Sequence, residues 1–202
     1  MRTITVKGYA ERSKAPDTAE LFCTVRGEDE AYSAAYNKTE EALAALKNAL
    51  CAAGNAEKDI KTGMLRMRRK TEYAAGRVLE MKGYVFEQTL SLRFPCKGDR
   101  AVKTAAAAAE SGCGADFSLR FTLRDEKKLR QELMAEACGN ARRQAEIIAR
   151  ACGEKLGGVK EICYGGDAAP APLAARAFSQ DAAVSPEEVR VSESVSIVWE
   201  LG

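Results

Sequence analysis

Histidine is absent from all 202 residues of this chain. Without an imidazole there is no Ser-His-Asp or Cys-His catalytic unit, no His-ligated zinc or iron, and no histidine-based pH sensor. A surplus of one charge is also lacking. The 31 basic and 29 acidic side chains leave a formal net charge of +2, too little to make nucleic acid or an anionic membrane the main partner of the whole surface. Long apolar runs are missing too. The richest, Ala105–Ala109, falls far short of the roughly 18 consecutive apolar residues of a membrane-spanning helix. The opening Met-Arg-Thr-Ile-Thr-Val enters an alternating pattern with neither an apolar leader core nor a small-residue cleavage site. The seven cysteines, at 23, 51, 96, 113, 138, 152 and 163, include no CxxC pair, which excludes a zinc ribbon and a thioredoxin-type motif. An odd, scattered set of thiols suits a reducing compartment, so the expected location is the cytoplasm.

What is present is an ordinary globular balance, 46% hydrophobic and 30% charged. A single domain over 1–202 is expected. Residues 2–8 alternate apolar and polar, as does the stretch from Asp17 to about Gly27 after the break at Pro16. From Glu28 to Ala53 the period changes to that of a helix, with Tyr32, Ala35, Thr39, Leu43, Leu46 and Leu50 on one stripe. A short strand and two long ones follow, the long pair joined around Ala74–Gly76. An alanine-rich helix over Asp99–Ser111 leads into the alternating "DFSLRFTLRD". Glu126–Cys152 predicts a helix of roughly 40 Å, its stripe running through Leu129, Leu133, Ala137, Ala141, Ala145 and Ile148. "VKEICY" reads as a strand, residues 165–188 as a mobile loop, and "VRVSESVSIVWEL" as the closing strand. The order ββα-βββ-αβ-αββ, built of amphipathic strands, predicts an α+β fold: antiparallel sheet packed with one long helix in the C-terminal half and two shorter helices.

Few stretches carry chemistry. "ARACGEKLGG", residues 149–158, resembles a phosphate loop, but Val159 stands where GxxxxGK[ST] requires lysine, and the glycines follow a helix instead of preceding one. Gly153 is expected to end the helix. In "RMRRK" a strand would project Arg66, Arg68 and Lys70 from one face, with Arg69 between them and Tyr73 and Tyr84 nearby. These residues form a candidate interaction surface, at a subunit contact or, as a rival reading, for nucleic acid. Cys113, in the glycine-flanked "SGCGAD", is the alternative nucleophile for a Cys-dependent enzyme or redox protein. Gln88 and Glu193 interrupt apolar strand faces and need partners if buried; both are expected where the sheet leaves the core. No carboxylate pair, metal-ligand spacing or cofactor motif emerges, and the expected catalytic, cofactor and metal residues are none.

Four segments together resemble the SIMPL domain family: "ITVKGYAERSKAPDTAELFCTV" with Gly8 and Pro16-Asp17, "GNAEKDIKTGMLRM", "GYVFEQTLSLRF", and the Ala137-Ala141-Ala145-Ala149 ladder running into "ACGEKLGGVKEI". The resemblance implies an α+β fold, bacterial relatives that are periplasmic or surface-associated or are linked to oxidative-stress defence, and homo-oligomeric assembly in some members. It brings no catalytic residue. The expected function is that of a non-enzymatic, self-associating protein contributing to stress defence through assembly or partner binding.

Overall fold

A computed structural model describes residues 2–74, 77–165 and 186–202, with the side chains of 72–81 excepted. The chain forms two compact units, and the second is inserted between the first and later segments of the first. The expected loop at 165–188 lies almost wholly outside the described residues.

The first unit is built from β1 (Arg2–Lys14), α3 (Glu126–Ala151), β6 (Leu156–Cys163) and β7 (Val189–Leu201). Its sheet is antiparallel in the order β1-β7-β6. Along β7 the alternate residues Val191, Val195, Ile197 and Trp199 face α3 and form the core with Val6, Ala10 and the α3 stripe. That stripe repeats every fourth residue, Leu129, Leu133, Ala137, Ala141, Ala145 and Ala149. Ala149 takes the last place expected for Ile148, which is exposed. Small side chains are needed here because the helix lies close on β1. A Cβ on Gly8 would collide with the Ala137 carbonyl oxygen. Gly153, at φ 74°, ends α3 as expected, its N–H donating to the Arg150 carbonyl at 3.1 Å. Gly157 and Gly158 do not belong to that terminator; they lie within β6.

The second unit runs β2 (Thr18–Asp29), α1 (Tyr32–Ala52), β3 (Ile60–Ala74), β4 (Arg77–Pro95), α2 (Arg100–Glu110), β5 (Asp116–Thr122), with a short 3-10 turn at Glu57–Asp59. Its strand order, β3-β4-β2-β5, together with the βαββαβ sequence of elements, is the split βαβ arrangement. One sheet face, with Ala19, Leu21, Cys23 and Val25 of β2, Leu90, Leu92 and Phe94 of β4, and Leu119 of β5, packs on Leu43, Leu46 and Leu50 of α1 and Ala101 and Ala108 of α2. Each fully buried leucine contributes about 1.5–3 kcal/mol. The opposite face carries Glu20, Phe22, Thr24 and Arg26, all at least partly exposed.

The α+β class and the three helices follow the expectation. The boundaries shift where tertiary pairing prevails. β2 extends through Glu28 and Asp29, which pair with Val85 and Tyr84, so α1 starts at Tyr32, and Tyr32 leaves the buried stripe to stand edge-on to Tyr84 at 5.5 Å and Phe86 at 5.2 Å. The expected short strand and first long strand are one element, β3, with a register shift between Thr62 and Leu65.

Candidate interaction surface

Arg66, Arg68, Arg69 and Lys70 fall on β3, opposite Glu87, Val85, Tyr84 and Gly83 of β4. Alternation places Arg66, Arg68 and Lys70 on the sheet face away from the helices, and Arg69 on the helix side with Leu65 and Met67. All four basic residues are exposed. Two of them meet carboxylates on the face away from the helices. Arg68 pairs with Glu87 and Lys70 with Glu28, while Arg26 reaches Glu28 at 2.6 Å. The Lys70 ammonium first, then Arg26, holds the Glu28 carboxyl below the ordinary glutamate range. Arg66 lies 4.0 Å from the Met64 sulfur. Tyr84 is not beside the basic face, because its register puts it on the helix side against Tyr32. The Tyr73 side chain lies outside the described residues. At the end of this face an open cleft of about 480 Å³ is lined by Glu28, Asp29, Glu30, Lys70 and Lys82. Within it Lys70 pairs with Glu28, while Asp29 is held by Lys38 at 2.7 Å, and exposed pairs of this kind contribute little to stability.

Cys113 is partly buried against the core of the second unit, and its sulfur lies 2.9 Å from the Ser111 hydroxyl oxygen. Burial, and secondarily the charge of Cys113, pushes the Cys23 thiol up to about 12. Cys96 is raised by burial and then by Asp17. Cys51 also packs on this core and Cys138 on that of the first unit, while Cys152 and Cys163 are exposed. Most of the thiols therefore serve as small apolar side chains. Among the described residues no three His, Cys, Asp or Glu side chains gather as metal ligands, and no helix is long and apolar enough to cross a membrane.

Gln88 and Glu193 are buried within their units, contrary to the expectation that they mark the sheet margins. Gln88 faces the core where β3 breaks register. The break takes the Gly63 carbonyl out of the strand ladder, and the Gln88 amide donates to it at 2.9 Å. Glu193 is tied down by two donors: Arg130 of α3 at 2.9 Å and the Tyr164 hydroxyl at 2.8 Å. Arg130 also holds Glu126 at 2.9 Å. The sequence marks Glu193 as an interruption of an apolar face, but nothing local connects it to Arg130.

A second surface has no counterpart in the sequence reading. Among the described residues β6 is an edge strand, exposed from Gly157 through Cys163. Val159 and Ile162 pair with Trp199 and Ile197 and so lie on the side of the sheet that β7 uses for the core, yet they are 54% and 60% exposed. Tyr164, just beyond the strand, is 51% exposed. The register shift between Val159 and Glu161 makes Lys160 an extra residue, so that Lys160 and Glu161 together oppose Val198.

No curated protein matches this chain. A crystal structure of an uncharacterized conserved protein from Listeria innocua aligns over 96% of this chain and 92% of its own, at 9% identity and a TM-score of 0.23, a likeness too slight to bear on fold or site. The sequence matches the SIMPL family, described as a protein of unknown function (DUF541), over residues 4–199. With nearly its whole length inside that match, the chain belongs to the SIMPL family.

Proposed function

We propose that this SIMPL protein is non-enzymatic and self-associating, and that it acts through assembly or partner binding in a reducing compartment such as the cytoplasm. The observation that carries this reading is the exposure of Val159, Ile162 and Tyr164 along a strand edge that is unpaired among the described residues. Apolar side chains grouped beside open backbone donors and acceptors are the chemistry of a protein contact. Seven unpaired thiols support the reducing compartment. A contribution to stress defence follows from the family resemblance of the strand and helix segments.

The rival readings draw less support. The basic strand spends Arg68 and Lys70 on carboxylates of its own face, and Cys113 packs against a core with a hydroxyl as its neighbour. Light scattering on the purified full chain at micromolar concentration tests the reading. A mass above that of one chain is expected, and a strictly monomeric mass would overturn it.

A further inference from the structure

We propose that β6 pairs antiparallel with β6 of a second copy about a two-fold axis, in the register that sets Lys160 opposite Glu161 and Val159 opposite Ile162. The inference rests on the self-association reading and specifies its interface. In a two-fold pairing each contact occurs twice, so this register forms two Lys160–Glu161 pairs and two Val159–Ile162 pairs. The faces agree. Val159 and Ile162 share one side of the sheet, through their partners Trp199 and Ile197, and Glu161 lies on the other, through Val198. Their odd spacing on a single face comes from the bulge that inserts Lys160, and the same bulge leaves Lys160 and Glu161 together on the opposite face.

Neighbouring registers fail. Moving the pairing by one residue in either direction sets Lys160 against Lys160 or Glu161 against Glu161, like charges directly across a strand pair. The chosen register is thus favoured on both faces at once, by apolar contact on one and charge complementarity on the other. Val159 and Ile162, exposed in the single copy, would be covered by the same two residues of the second copy.

The register also places Cys163 opposite Gly158. Cys163 is exposed, and Gly158 has open space where a side chain would stand. Two Cys163 residues would lie five strand positions out of register, roughly 17 Å apart, and could not bridge. The full chain carrying Cys152→Ser and Gly158→Cys is oxidised mildly and compared with the same chain further changed by Cys163→Ser and with Cys152→Ser alone. The expected result is a disulfide-linked dimer in the first and none in the other two. An oligomer in light scattering without a disulfide between the thiol introduced by Gly158→Cys and Cys163 would overturn this interface while leaving self-association standing. A monomer would overturn both.

Discussion

Glu193 shows how one side chain directs the packing of its surroundings. It is a carboxylate inside the apolar face of β7, held by Arg130 and Tyr164. Its 5% side-chain exposure contrasts with 34% for Arg130, so the anion has given up most of its hydration while the cation keeps part of its own. Removing the cation leaves a buried charge whose remaining side-chain partner among the described residues is a phenol. Arg130→Met is expected to lower unfolding stability by about 2 kcal/mol, read as a reduced urea midpoint at an unchanged slope. Glu193 was legible in the sequence because it breaks an alternation, and so was Gln88. Their partners were not, since the Gly63 carbonyl is released only by a register shift and Arg130 comes from a helix far along the chain. Polar residues in apolar patterns announce a need; the fold determines what answers it.

Among the elements, α3 was the most legible and β3 the least. A helix writes its buried face into local spacing, and the four-residue ladder of α3 has only one member displaced, Ile148 to Ala149. For β3, the run of basic residues reads as an interaction face, and local sequence does not reveal the cross-strand carboxylates on β2 and β4 that pair with Lys70 and Arg68. That pairing predicts a pH response. The Glu28 carboxyl is held below its ordinary value by Lys70 and Arg26. Its contribution to stability is therefore present above the unfolded glutamate value and is lost as pH falls through the depressed folded one. A carbon-detected NMR titration should find Glu28 titrating below the ordinary glutamate range, and Lys70→Met should move it upward. A Glu28 titration unaffected by Lys70→Met would show that the pair does not persist in solution. The end of β2 escaped sequence reading for the same reason as β3: Glu28 and Asp29 look like a helix start, but β4 recruits them.

The whole molecule is organised by pairings that local sequence does not encode. β1 binds β7, so that Arg2 faces Leu201 and Lys14 faces Val189, and the segment 17–122 folds as a separate unit between them. Period and turn signals identify these strands as amphipathic but carry no information about which distant strand each one meets. The same limit hid the β6 edge, because "VKEIC" looks like any short strand until its neighbours among the described residues are known to lie on one side. If this edge joins two copies, the charges across the axis control the strength of the dimer. Sedimentation of four proteins reads that control: the parent, Lys160→Glu, Glu161→Lys and the double exchange. Each single change turns two attractive contacts into two repulsive ones and should weaken the dimer about tenfold. The double exchange should restore it, because the charges still alternate across the axis. Four proteins with the same dissociation constant, or a parent that stays at 21.8 kDa at every concentration, would mean that β6 does not join two copies.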